Sequence, residues 1–96
     1  MKISIQSIKF DATEKLEQFI EKKLAKLELL SDEIQSVEVY LKVVKPETSN
    51  NKEAEIVVFV PNSKIFASKI CDTFEEAVVS SIEAVEKQMK KMKDKN

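Results

Sequence analysis

Ile3 and Ile5, with Ile8 as a further candidate, alternate with Ser4, Gln6 and Ser7, the two-residue repeat of a short strand with one buried face. The period then changes. Leu16, Phe19, Ile20, Leu24, Leu27 and Leu30 recur at spacings of three and four, which predicts a helix of about four turns. Its start lies in Asp11-Ala12-Thr13-Glu14, where Asp11 and Glu14 read as a capping box and Thr13 reads equally as the cap. Ser31-Asp32 ends it. Val37, Val39, Leu41 and Val43 alternate with Glu38, Tyr40 and Lys42 in the clearest strand of the chain. Pro46 stops that strand, and Glu47-Thr48-Ser49-Asn50-Asn51-Lys52 reads as a hairpin loop in which asparagine takes the left-handed dihedrals. Ala54, Ile56, Val58 and Val60 predict a third strand, closed by Pro61-Asn62-Ser63, and Ile65 to Ile70 a weaker fourth. Asp72-Thr73-Phe74-Glu75 repeats the capping signature, and Phe74, Val78, Ile82, Val85, Met89 and Met92 keep one helical stripe behind it.

The order is therefore β-α-β-β-β-α. Two helices, each apolar on one side, bury those sides against the strands, which gives an α+β two-layer sandwich: a four-stranded mixed sheet with two helices on one face. If the first two strands are neighbours, their helical connection is a right-handed parallel crossover, whereas the later connections are short enough for antiparallel hairpins. Alternation directs Val37, Val39, Leu41, Ile56, Val58 and Val60 toward the helices. Tyr40, Val44, Val57, Phe59 and, by register, Phe66 fall on the opposite face. That face reads as ordinary cross-strand packing, as a protein-contact surface centred on Tyr40, Phe59 and Phe66, or as a platform for stacking bases.

Composition narrows the chemistry. Ninety-six residues fit one domain, spanning 1–96, with enough chain for a core without staples. The chain has no His, no Gly and no Trp, and one cysteine. Without histidine there is no Ser–His–Asp or Cys–His nucleophile and no histidine-ligated metal. Without glycine the phosphate-cradling loops of nucleotide enzymes cannot be built. Cys71 precedes a helix start, where a thiolate is favoured, but a small packed residue at a strand–helix junction is the simpler account. The reading is a non-enzyme with no cofactor, no metal and no small-molecule substrate. No signal peptide or run of apolar residues long enough to span a membrane is present, which points to a cytoplasmic protein with no membrane partner.

All 16 basic residues are lysine, set against 17 acidic ones for a net charge of −1. The near-balance conceals segregation. At about 100° per residue, Lys15, Lys22 and Lys26 share one flank of the first helix while Glu14, Glu17, Glu21 and Glu28 share the other. Lys23 falls within the apolar stripe and reads as a snorkelling stem with its ammonium in solvent. The second helix divides along its length: residues 72–86 hold Asp72, Glu75, Glu76, Glu83 and Glu86 and no lysine, whereas 87–96 hold five lysines against Asp94. The helix dipole favours that order, and the lysine excess favours an anionic partner as well.

Four stretches together resemble the bacterial ribosome hibernation-promoting factor and ribosome-associated inhibitor family. They are Thr13 through Glu28, Val37-Glu38-Val39-Tyr40-Leu41-Lys42-Val43, Ile65-Phe66-Ala67-Ser68 followed by Asp72-Thr73-Phe74-Glu75-Glu76-Ala77, and Glu86 through Lys95. The resemblance spans essentially the whole chain and implies the short form of the family. It further implies binding to the small ribosomal subunit, on 16S rRNA in the mRNA channel near the A and P sites. The bound domain would block mRNA and tRNA and store inactive ribosomes. The lysines matching the family's rRNA-binding positions are Lys22, Lys23, Lys26, Lys87, Lys90 and Lys91. The alternative reading is a self-associating interaction module that uses the open sheet face and binds no RNA.

Overall fold

A residue whose side chain must leave water every second position makes a strand, and Val37, Val39 and Leu41 are fully buried while Glu38, Tyr40 and Lys42 between them are half-buried. The computed structural model describes residues 1–45 and 49–94. Pro46, Glu47, Thr48, Lys95 and Asn96 lie outside the described residues, as do the side chains of Lys93 and Asp94, and with them the stop expected at Pro46 and part of the lysine-rich end.

The elements are β1 (Lys2–Ser7), α1 (Glu14–Leu24), a 3-10 helix (Ala25–Leu29), β2 (Ser36–Val43), β3 (Lys52–Val60), β4 (Ser63–Cys71) and α2 (Phe74–Asp94). The sheet order is β1-β2-β3-β4. β1 and β2 are adjacent and parallel, with Ile3 opposite Val37 and Ile5 opposite Val39; β3 pairs antiparallel with both β2 and β4. This is the expected mixed sheet of an α+β fold, in the order β-α-β-β-β-α. Ile20, Leu24 and Leu27 meet Val37, Val39, Leu41, Ile56, Val58, Val78 and Val85 in one cluster between the helices and the sheet. Each such side chain contributes about 1.5–3 kcal/mol by leaving water.

Two contacts fix α2. Ser81, fully buried, donates its hydroxyl to the Ala54 carbonyl at 3.0 Å, tying the helix to β3. The rings of Phe10 and Phe74 stack with centroids 5.0 Å apart, joining the β1–α1 loop to the first turn of α2. Both helix starts use threonine. Thr13 Oγ1 accepts from the Leu16 amide and Thr73 Oγ1 from the Glu76 amide, each at 3.1 Å. Asp72 instead accepts the Asn50 amide at 2.7 Å, so it closes the hairpin loop onto the helix start and leaves the capping to Thr73.

The structure departs from the sequence pattern at several ends. α1 stops at Leu24 and the chain tightens into the 3-10 helix, so the four-turn stripe is three turns of α-helix followed by a narrower coil. β4 is not weak: it runs nine residues, every one paired with β3. β3 begins two residues before Ala54 because Lys52 still pairs with Val43. Val44 and Ile8 lie beyond the strand ends, although the Ile8 amide still reaches the Leu41 carbonyl at 2.9 Å. Met92 continues the α2 stripe past the edge of the sheet and is 44% exposed.

Candidate nucleic-acid interface

A lysine can hold a phosphate only if its ammonium is in solvent and not already committed to a carboxylate. Lys22, Lys26, Lys87, Lys90 and Lys91 are all exposed. Among the described residues none of the five lies within 4.0 Å of a carboxylate oxygen. Lys23 differs. It is half-buried, with its ammonium 5.5 Å from the centroid of the Phe19 ring, so the snorkelling stem ends over an aromatic face.

The tightening of α1 rearranges its flanks. Lys22 is on the α-helix, while Lys26 and Glu28 belong to the 3-10 segment. A 3-10 helix turns about 120° per residue rather than 100°. Lys26 is therefore turned by roughly 40° and Glu28 by roughly 80° from an ideal continuation. Lys22 and Lys26 stay about one turn apart, and Glu28 is rotated to the edge of the flank of Glu14, Glu17 and Glu21.

On α2 the three lysines separate. Lys87 lines a shallow hollow with Lys69 of β4, Ser80, Glu83, Ala84 and Gln88. Gln88 anchors that side by donating its amide to the Phe66 carbonyl at 2.8 Å. Lys91, four residues after Lys87, follows on the same flank. Lys90 is turned the other way and lines a groove shared with Glu28, Asp32 and Glu33. Lys87 and Lys91 thus form a basic flank toward β4, and Lys90, one turn from Lys87, lies on its other side toward the acidic turn. Lys69 is the residue that the charge pattern along the helices missed. Its signal was a lysine at an inward position of a strand, after Ile65 and Ala67, where only an edge leaves room for a charge.

Tyr40, Phe59 and Phe66 all sit on the sheet face without helices, but in three different cross-strand rows. Tyr40 is opposite Glu55, Phe59 lies between Ser36 and Lys64, and Phe66 is opposite Val57. Phe66 is 48% exposed, whereas Val57 opposite it on β3 is 9% exposed. The Tyr40 hydroxyl donates to Glu38 Oε1 at 2.7 Å. That bond to a carboxylate, then partial burial and the charges of Glu38 and Glu55, push the phenol above its usual pKa. Lys42 Nζ meets Glu53 Oε1 across the strands at 3.4 Å. Cys71 is a half-buried free thiol at the end of β4. No group of His, Cys, Asp or Glu among the described residues is placed to hold a metal ion. No helix among them is long and apolar enough to cross a membrane.

No curated relative matches the sequence. A ribosomal subunit interface protein from Coxiella burnetii superposes with a TM-score of 0.87 at 26% identity, over 98% of this chain and 99% of that one. The N-terminal domain of Protein Y from Thermus thermophilus shares the fold, with a TM-score of 0.81 at 22% identity over 96% and 99% of the two chains. The family described as Sigma 54 modulation protein / S30EA ribosomal protein matches residues 3–96. With its length matched nearly end to end and its fold shared, the chain belongs to that family of ribosome-associated modulation and hibernation proteins.

Proposed function

We propose that this protein silences ribosomes by occupancy: it binds 16S rRNA in the mRNA channel of the small subunit, near the A and P sites, and excludes mRNA and tRNA. The family match over residues 3–96 carries the reading. The uncommitted lysines supply its chemistry, with Lys22, Lys26, Lys87 and Lys91 contacting phosphates and Lys90 at the margin. Lys23, tethered to Phe19, positions the surface of α1 more than it neutralises charge. No bond is made or broken, so the mechanism requires neither a catalytic group nor a cofactor. A ribosomal partner fits a cytoplasmic protein.

Lysine offers a point charge rather than the paired fork of arginine, so binding follows phosphate positions and not base identity. The alternative, self-association through the open sheet face, has less to support it. Lys42–Glu53 and Tyr40–Glu38 interrupt that face with charges already satisfied within it. The test is co-sedimentation with purified small subunits. Wild-type protein pellets with them, and the reversal of Lys22, Lys26, Lys87 and Lys91 to Glu abolishes pelleting while the circular-dichroism spectrum is retained. Undiminished pelleting of the folded variant refutes the surface.

A further inference from the structure

At the end of the sheet away from the Phe10–Phe74 stack, the turn after the 3-10 helix and the last turns of α2 enclose an open groove of about 600 Å³. Leu30, Val60 and Ile65 line it together with three further apolar side chains, which differ in exposure. Met89 is 8% exposed, Met92 44% and Leu29 87%. Leu29 stands out, because Leu16, Leu24, Leu27 and Leu30 on the same stretch are all buried or half-buried. The 3-10 turn that carries Leu27 into the core leaves Leu29 in water at the groove's lip.

The rim is acidic. Glu28, Asp32 and Glu33 line the groove and are all exposed, with Lys90 as the opposing basic residue. An acidic rim repels a phosphate backbone, so this groove is not part of a nucleic-acid surface. It lies beside the lysine flank yet has the opposite charge preference. Methionine adapts its shape to an incoming side chain, and the three carboxylates of the 28–33 stretch, outnumbering Lys90, favour a cationic one.

We propose that the groove docks a basic polypeptide segment that carries a bulky apolar side chain. The apolar side chain packs between Leu29, Met89 and Met92, while flanking lysines or arginines pair with Glu28, Asp32 and Glu33. The protein then has two electrostatically opposite contact surfaces, one for a polyanion and one for a cationic protein segment. This second surface does not depend on the RNA reading.

The experiment is a methyl and amide NMR titration of the full chain with a short synthetic peptide of lysines flanking two leucines. The expected result is saturable shifts confined to Leu29, Met89, Met92 and the 28–33 turn. Leu29→Ser weakens binding roughly ten-fold, the loss of one well-packed apolar contact. Asp32→Asn with Glu33→Gln sharply reduces the salt dependence. Leu29, Asp32 and Glu33 are exposed, so these variants keep the fold, and their amide spectra verify it. The proposal is overturned by absent or dispersed shifts, or by equal binding of a peptide with serine in place of leucine. It is equally overturned by indifference to Leu29→Ser, by an RNA oligonucleotide moving the same methyls, or by concentration-dependent broadening without peptide that reveals a second copy in the groove.

Discussion

The helix side of the molecule and the open face of its sheet rest on the same four strands, yet they dispose of charge in opposite ways. On the open face, Lys42 pairs with Glu53 across two strands and the Tyr40 hydroxyl binds Glu38. On the outer surface of the helices, Lys22, Lys26, Lys87, Lys90 and Lys91 have no carboxylate within 4.0 Å among the described residues. A net charge of −1 averages these two situations and describes neither. An anionic partner is drawn to where cations are left uncommitted, and leaving them so costs little stability, because an exposed ion pair is worth about 0–1 kcal/mol.

The largest effect that separates the faces is packing. Leu41 is fully buried beneath the helices, and Leu41→Ala lowers the unfolding free energy by about 2–5 kcal/mol. Phe66→Ser on the open face costs less, about 1–2 kcal/mol, because half of that side chain already meets water. Denaturant titration of both variants measures the gap, and equal losses would erase the distinction between the faces. Next come the caps that hold the helix layer in place: Thr13→Ala and Thr73→Ala each cost about 1 kcal/mol by the same assay. Smaller still, Lys42→Ala on the open face costs about 0.2–1 kcal/mol.

The smallest effect is spectroscopic. The phenol of Tyr40 is held above its usual pKa, so its neutral form is favoured in the folded protein. The contribution to stability is present below the pKa of the unfolded phenol and is lost as pH rises through the higher folded value. Tyr40 is the sole tyrosine, and there is no tryptophan to obscure it. Phenolate absorbance therefore follows this group alone, and Glu38→Gln moves the titration to lower pH. A titration unmoved by the substitution would mean that the open face does not settle its own charges.

The strands and helices were legible because apolar spacing alone carries their period, and β2 illustrates this most plainly. The ends were less so. Nothing in Ala25-Lys26-Leu27-Glu28-Leu29 announces a 3-10 turn, since Leu27 fits the stripe of either helix and the tightening shows only in how Leu29 is exposed. The glycine-free turns were half legible. Asn50 and Asn62 take left-handed dihedrals with φ of 55° and 64°, which asparagine tolerates, but Lys9 and Lys45 do the same at 65° and 50° against their ordinary preference. Helical spacing separated basic from acidic flanks on each helix. It could not show that Lys69 of β4 joins Lys87 or that Lys90 faces the acidic turn, because both depend on where α2 crosses the sheet. The open aromatic face was placed correctly by alternation, yet its character changed once register set Glu38, Glu53 and Glu55 among the rings.

The central claim is that uncommitted lysines on the helix side of the molecule, and not lysines paired on the open sheet face, neutralise phosphates. Its most direct measurement is the dependence of small-subunit affinity on salt concentration. For Lys87→Ala with Lys91→Ala, the slope of log affinity against log salt falls by about 0.7–0.9 for each lysine removed. For Lys42→Ala, which removes the lysine paired with Glu53 on the open face, it stays at the wild-type value. An unchanged slope for the helix pair, or an equal fall per lysine for Lys42→Ala, contradicts the account.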